Sequence, residues 1–116
     1  MANVEQLKLI KQGVERWNQW REQNSNMKLD LSESDLRQAC LQKANLSHAN
    51  LNKVKLQFSN LTGANLKETS LKKAKFQEAN LQSANLSGAS MLEANLQYAD
   101  LENAILKGAN LEGQPA

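Results

Sequence analysis

The sequence predicts an all-β solenoid of about four square coils, preceded by an α-helix that covers the first coil. The first observation is a large apolar residue at every fifth position, from Leu31 to Leu111, without an insertion. The second is a small residue two positions before most of these, with Ala in twelve of the seventeen repeats. The third is that residues 1–28 lack this period and show helical spacing instead.

Residues 3–23 are predicted to form one continuous helix. Asn3 is suited to be its N-cap, and Gln6 three positions later completes a box-like pattern. Gly13 weakens the middle by up to ~1 kcal/mol. The segment "NSNMK" then ends the helix before the repeats begin.

One apolar stripe runs along this helix, with 3-4-3 spacing. We expect the stripe to cap the first coil by covering Leu31, Leu36 and their neighbours. Leu9 and Trp20 fall outside it and are expected to be exposed. The residues of the stripe are Leu7, Ile10, Val14 and Trp17.

The repeats themselves must turn once every five residues. A period of five fits neither a helix nor a flat strand, so only a regular corner keeps every large side chain pointing inward. Four corners close a coil of about twenty residues, and coils stack at roughly 4.8 Å. The four glycines of the repeats fall two residues after a central residue, where a corner needs positive φ. They are Gly63, Gly88, Gly108 and Gly113.

Units such as "ANLSH", "SNLTG", "ANLQS", "ANLSG" and "ADLEN" resemble the pentapeptide repeat family. The resemblance covers residues 29–113 as seventeen tandem repeats. It implies a right-handed quadrilateral β-helix of a little over four coils. The leader "QLKLIKQGVERWNQWREQN" is similar to the helical leader of cyanobacterial members. The expected organisation is a helical cap and linker at 1–28, the β-helix at 29–113 and a tail at 114–116.

The C-terminal end of the solenoid has no predicted helix to cover it. An uncovered coil exposes apolar edges and unpaired backbone groups, which invite pairing with another chain. Pro115 offers no N–H and would blunt that edge. The resemblance implies a homodimer, since several members of the family form one. The candidate dimer edge is Leu92, Ile105, Leu106 and Leu111.

Residues that could carry catalysis are sparse. The single His48 and single Cys40 occupy outward positions on different faces, so no nucleophile has a base beside it. No pair of His or Cys has metal-ligand spacing, and no Gly-rich phosphate loop is present. The recurrent outward Asn is best interpreted as structural. We therefore predict no enzyme, no cofactor and no metal.

Lysines gather at one corner when residues twenty apart are stacked. Lys53 falls below Lys73, Lys55 falls below Lys75, and Lys72 lies beside them. Carboxylates above and below these columns, at Glu33, Glu93 and Asp35, are expected to neutralise them in part. Two interpretations stay open, a solvated corner or an anion or partner patch. The candidate partner patch is Lys53, Lys55, Lys72, Lys73 and Lys75, with the outward aromatics Phe58 and Tyr98.

The function predicted is a protein-interaction or regulatory module that presents rigid faces, with its partner unknown. Alternatively, the resemblance implies a DNA mimic that inhibits DNA gyrase. Mimicry needs an acidic surface, yet residues 29–113 carry nine basic and nine acidic residues. Weak nucleic-acid binding through the lysines is a further alternative, opposed by the flanking carboxylates and scarce aromatics.

The compartment predicted is the cytoplasm. One cysteine allows no intrachain disulfide, which fits a reducing environment. The N-terminus shows no apolar run typical of a signal peptide. No segment approaches the ~20 apolar residues of a spanning helix, so no membrane partner is expected.

Overall fold

Two short helices begin the chain in place of the one predicted. The computed structural model describes residues 1–115, with α1 at Val4–Ile10 and α2 at Val14–Gln23. Gly13 separates them and precedes α2 with φ of 117°. That backbone conformation is open to glycine and strained for other residues. The prediction of a continuous helix over 3–23 was therefore wrong, because Gly13 breaks the helix and does not merely weaken it.

The N-cap of α1 is the residue predicted. The Oδ1 of Asn3 accepts a hydrogen bond from the amide of Gln6 at 3.0 Å. The side chain of Gln6 does not return this bond, so the capping box is incomplete. It points to the rod instead, where Gln6 is buried.

The apolar stripe contributes unequally to the core. Ile10 and Trp17 are buried, whereas Leu7 and Val14 are half-buried. Leu9 and Trp20, expected to be exposed, are also half-buried and pack against the core cluster. The rings of Trp17 and Trp20 lie with their centroids 5.3 Å apart. The break at Gly13 changes the direction of α2, so a stripe drawn for one straight helix did not predict these positions.

The repeats stack with a period of twenty residues. Parallel bridges, each one residue long, join positions twenty apart, from Asp30 with Asn50 to Ser90 with Asn110. No longer strand occurs within residues 1–115. At a typical bridge the amide of Leu31 donates to the carbonyl of Asn50, and the amide of Asn50 donates to the carbonyl of Leu29, both at 2.9 Å. The whole molecule measures 39 × 27 × 25 Å.

Four inner columns of large apolar side chains fill the rod, since a period of five repeats four times in each twenty residues. Leu31, Leu51, Leu71 and Met91 belong to one column, and each is 0% exposed. Phe76 takes a leucine position in another column and is equally buried. The small residues between the columns are buried with them, apart from Ala39 and those near the C-terminal end.

Every corner residue has a positive φ. All seventeen positions that follow a central residue by two have φ between 57° and 75°, and thirteen of them are not glycine. The glycines in the sequence mark some of the positions with positive φ, but the fold imposes the same conformation on Lys, Glu, Phe and Tyr at the equivalent positions. The strain of a non-glycine residue there is offset by the backbone ladder that fixes each corner.

The outward Asn column has a structural role, as predicted. The Oδ1 of Asn80 accepts from the amide of Gln82 at 3.0 Å, and Asn50, Asn65 and Asn95 make the same bond two residues on. Such Asx turns satisfy an amide that the next coil does not reach. Asp30 does the same for Ser32, and the hydrogen bond from the hydroxyl of that serine lowers the pKa of the carboxyl.

Polar side chains of the helices cover the lower edge of the first coil. Gln6 pairs with the backbone of Lys28 and Asp30. The side chain of Asn18 donates to the carbonyl of Lys43 at 3.0 Å and accepts from the amide of Asn45 at 2.8 Å. The side-chain amides of Gln6 and Asn18 therefore make the hydrogen bonds that the peptide groups of a preceding coil would make.

Two further side chains of α2 complete this covering. The indole nitrogen of Trp17 donates to the carbonyl of Asn45 at 2.8 Å. The guanidinium of Arg21 donates to the carbonyl and the hydroxyl of Ser47, each at 3.1 Å. Burial of that guanidinium lowers the pKa of Arg21. The apolar stripe gave no sign of Gln6, Asn18 and Arg21, because backbone edges require donors and acceptors.

The opposite end of the rod has no such covering within residues 1–115. The amide of Leu86 donates to the carbonyl of Ile105, whereas the amide of Leu106 makes no backbone hydrogen bond in that part of the chain. Leu106 is half-buried and Leu111 is 36% exposed. The last coil therefore presents both polar and apolar groups at its upper edge.

Candidate functional site

Four of the five predicted lysines line one groove. It has a volume of about 420 Å³, and its walls are Glu33, Lys53, Lys55, Lys73 and Lys75. Lys72 is exposed but does not line the groove. We refer to these five wall residues as the lysine groove.

The backbone ladder fixes the register of the lysine groove. Lys55 and Lys75 form a parallel bridge, and the amide of Lys75 donates to the carbonyl of Val54 at 2.9 Å. Lys53 and Lys73 are corner residues with φ of 58° and 60°. The rigid main chain holds two lysine columns side by side, while the ends of the side chains stay free to move.

Beside the groove, an Asn of the neighbouring coil replaces the usual hydrogen-bond acceptor of the repeat that contains Ser70. Ser70 stands where eight of the seventeen repeats have Asn and three have Asp, so it has no carbonyl oxygen to accept the amide of Lys72. The Oδ1 of Asn52, one coil below, accepts that amide at 3.0 Å and the Ser70 hydroxyl at 2.6 Å. The pairing of Ser70 with Asn at position 52 was visible in the sequence, but we did not predict it.

The carboxylates expected to neutralise the lysines have other partners. Asp35 accepts from Nε and Nη2 of Arg37 at 2.8 and 2.7 Å. The hydrogen bond from Arg37 holds the pKa of Asp35 well below its ordinary value. Glu33 lies 3.4 Å from the N-terminal ammonium of Met1. The partial neutralisation of the lysines stays a prediction: Glu33 lines the groove with them and the charge of Lys55 helps to lower the pKa of Asp35, but neither ion pair found in residues 1–115 involves a lysine.

The two outward aromatics lie beyond the lysines on the neighbouring edge. Phe58 is 59% exposed and Tyr98 is 86% exposed. Both belong to one corner column, but Glu78 separates them. They do not form a joined apolar patch. Between this column and the lysines run Gln57 and Gln77, whose Oε1 atoms are buried and accept no hydrogen bond within residues 1–115.

The four residues predicted as a dimer edge fall in two places. Leu106 and Leu111 are central residues at the uncovered end of the rod. Ile105, 50% exposed, faces outward in the same last coil beside Leu106, whereas Leu92, half-buried, lies on an outer face one coil below Glu112. The structure therefore places Ile105, Leu106 and Leu111 at the uncovered end and Leu92 one coil below it.

The residues considered for catalysis are separated. Cys40 and His48 are both exposed and lie on different faces of the rod. No group of three or more His, Cys, Asp or Glu in residues 1–115 could hold a metal ion. No helix in that part of the chain is long and apolar enough to cross a membrane.

A family model described as pentapeptide repeats matches residues 30–67 and 74–113, in eight copies. The stretch between the two matched segments contains Ser70, Lys72 and Lys73. The ladder nevertheless continues through it, since Ser70 is bridged to both Asn50 and Ser90. Comparison with curated proteins gives no match.

Several solved structures are similar to this one. A pentapeptide repeat protein from Nostoc Pcc 7120 shares 32% identity with a TM-score of 0.73, over 84% of each chain. One from the cyanobacterium Cyanothece 51142 shares 32% identity with a TM-score of 0.51, over 75% of this chain and 63% of that one. One from the Arabidopsis thaliana thylakoid lumen shares 28% identity with a TM-score of 0.52, over 73% of this chain and 63% of that one. These likenesses imply a right-handed quadrilateral β-helix.

Proposed function

Because the chain belongs to the pentapeptide repeat family, we propose that it is a non-enzymatic interaction module that binds a protein partner through its outer surface. In finer detail, we take the repeats to form a little over four coils, closed at one end by α1 and α2. The proposed compartment is the cytoplasm, in keeping with a single, unpaired cysteine.

One observation carries this proposal. Exposed positive and aromatic side chains are displayed on a main chain fixed by hydrogen bonds along the repeats. Phe58 and Tyr98 expose most of their surface, and no lysine of the lysine groove forms an ion pair within residues 1–115. Exposed aromatics and charges held on a rigid scaffold cost little entropy when a partner binds.

DNA mimicry receives less support than protein binding. The charges of residues 29–113 balance, and their densest cluster is positive. A surface that imitates DNA must instead present regularly spaced negative charge. Inhibition of DNA gyrase at low micromolar concentration in a supercoiling assay would favour mimicry over the function proposed here.

The experiment is affinity capture from extracts of the source cell, with crosslinking before lysis. We expect a partner captured by the wild-type protein to be lost from a variant with seven patch residues changed to Ser. These are Lys53, Lys55, Lys72, Lys73, Lys75, Phe58 and Tyr98. The control carries seven exposed changes to Ser on the other two faces and should retain the partner. These are Gln42, Lys43, His48, Lys67, Glu68, Asn103 and Lys107. Identical captures by all three proteins would contradict the proposal.

Self-association through the uncovered end is part of the proposed function. The edge at Leu106 and Leu111 offers unpaired amides beside apolar side chains, which a second copy could cover. Sedimentation equilibrium should find a dimer, and the change of Leu106 and Leu111 to Lys should give a monomer. A wild-type protein that stays monomeric at high micromolar concentration would refute this part.

A further inference from the structure

We propose that the lysine groove binds an extended acidic segment of a partner protein, with carboxylates of that segment lying between the two lysine columns. This inference rests on the proposed function and adds the chemistry of the partner. The groove runs along the stack of coils, since the buried Val54 and Ala74 lie between the columns. Its occupant therefore lies parallel to the axis of the rod.

The four lysines of the groove outnumber the single carboxylate, Glu33, that lines it with them. Lys53 and Lys73 belong to one column and Lys55 and Lys75 to the other, about 4.8 Å apart along each column. Like charges at this spacing repel each other and cost stability. Neither ion pair found in residues 1–115 involves a lysine. An anion from outside would relieve this repulsion.

The surrounding carboxylates are directed elsewhere. Asp35 is held by both nitrogens of the Arg37 fork, and Glu33 by the N-terminal ammonium. Glu93 follows Lys73 in its column, but its side chain lies toward Gly113, where an added Cβ would be 2.8 Å from the Glu93 Cγ. The groove thus stays cationic among acidic neighbours.

An extended peptide fits the dimensions of the groove. Alternate side chains of an extended chain point the same way at about 6.8 Å intervals, so two or three carboxylates span the coils that hold the lysines. The flexible stems of the lysines absorb the difference between this spacing and the coil spacing. Glu33 at the lower end repels further acidic residues, which limits the segment to the cationic stretch.

A protein segment suits this surface better than a nucleic acid. The lysines occupy only two coils, and Glu33, Glu78 and Glu93 border them. A long phosphate backbone would be repelled by those carboxylates, whereas a short acidic stretch avoids them. Phe58 lies on the other edge of the same face and offers apolar contact to the side chains of a peptide.

The test uses a fluorescent peptide of about twelve residues whose centre reads Glu-Ser-Glu-Ser-Glu and whose flanks are uncharged, so that only the stretch facing the lysines is acidic. Fluorescence anisotropy at low ionic strength should show binding that weakens as salt is added. The same peptide with Gln in place of Glu should not bind. The K53S/K55S/K73S/K75S variant should bind at least about tenfold more weakly, because four exposed charge pairs are lost.

A matched control separates the groove from net charge. The K28S/K43S/K67S/K107S variant removes four lysines elsewhere and should bind within about twofold of wild type. Addition of peptide to the wild-type protein should shift the amide resonances of residues 53–55 and 73–75, a measurement that needs no variant. Thermal unfolding should show the groove variant to be at least as stable as wild type, since like-charge repulsion is removed.

Several results would overturn the inference. These are absence of binding at low salt, equal loss in both variants, equal binding of the Gln peptide, or amide shifts confined to other residues. Tighter groove-dependent binding of a single-stranded DNA of about twelve nucleotides would replace the peptide with a nucleic acid. If the peptide fails while patch-dependent capture persists, the interaction module stands and only its acidic partner is refuted.

Discussion

The side chain of Gln6 accepts a hydrogen bond from the backbone amide of Asp30 at 2.8 Å and donates one to the carbonyl of Lys28, also at 2.8 Å. A coil below would form the same pair of bonds with this stretch of chain. A primary amide carries one acceptor and a donor in the geometry of a peptide group. Gln6 thus ends the backbone ladder without leaving buried groups unpaired.

Replacement of Gln6 by Leu should lower the free energy of unfolding by about 2–4 kcal/mol, because two buried backbone groups lose their partners. Urea unfolding followed by circular dichroism measures this change. The matched control is Gln19→Leu, at an exposed position of α2, which should stay within about 0.5 kcal/mol of wild type. Equal effects of the two changes would mean that the pairing of Gln6 adds no stability.

The two tryptophans of α2 should respond differently to the same truncation. Trp17→Phe removes the indole donor to the carbonyl of Asn45 and should cost about 1–3 kcal/mol. Trp20→Phe removes the same atoms from a half-buried ring and should cost less. Chemical denaturation of both variants measures the difference. A larger loss for Trp20→Phe would contradict the role assigned to the Trp17 hydrogen bond.

A corner residue should gain stability from glycine. His48 is exposed with φ of 64°, so His48→Gly removes the steric cost of a Cβ and should stabilise by about 0.5–1 kcal/mol. Gln42→Gly, at an exposed position outside the positive-φ set, should destabilise by about the same amount. Thermal melts of both variants make the comparison, and destabilisation by His48→Gly would show that the corner is not strained.

The acid titration of Asp35 should depend on Arg37. The hydrogen bond from Arg37 lowers the pKa of Asp35, so its contribution to stability is complete above the unfolded pKa of about 3.9 and is lost as the pH falls through the folded value. In Arg37→Gln the pKa of Asp35 should rise toward the ordinary value. Carbon NMR of the carboxyls follows this rise. Asp30, whose pKa is lowered by Ser32, is the internal control and should not move.

The repeat region was predictable because one physical requirement recurs in every unit. A large residue every fifth position forces a corner, and the glycines at 63 and 88 marked where positive φ falls. The thirteen other corner residues carry no local sign of that conformation. Only the register, transferred from one repeat to the next, places Phe58 or Tyr98 at a corner.

The helical leader was harder to predict because its partners are distant in sequence. Helix propensity alone predicted that Gly13 would weaken one continuous helix. In the structure, Gly13 separates two helices that both pack on the end of the first coil. The side chains of Gln6 and Asn18 form hydrogen bonds with backbone groups between residues 28 and 45 that no other coil pairs. Such groups have no signature in an apolar pattern.

The candidate site was predictable in position but not in electrostatics. Stacking by twenty placed Lys55 beside Lys75, and the bridge between them agrees with it. The same stacking suggested Asp35 as a counter-ion for Lys55. A residue two positions away, Arg37, takes that carboxylate instead. The ion-pair partner of a carboxylate depends on the side chains near it, and the register of the repeats does not predict that partner.

The hydrogen bonds that tie the helices to the rod end at residues 28–47 within the described chain. All of these groups leave the ribosome before the second half of the protein has been made, since synthesis proceeds from the N-terminus. Each later stretch of twenty residues then emerges beside a coil that is already complete. We expect the order of assembly of the coils to follow the order of translation.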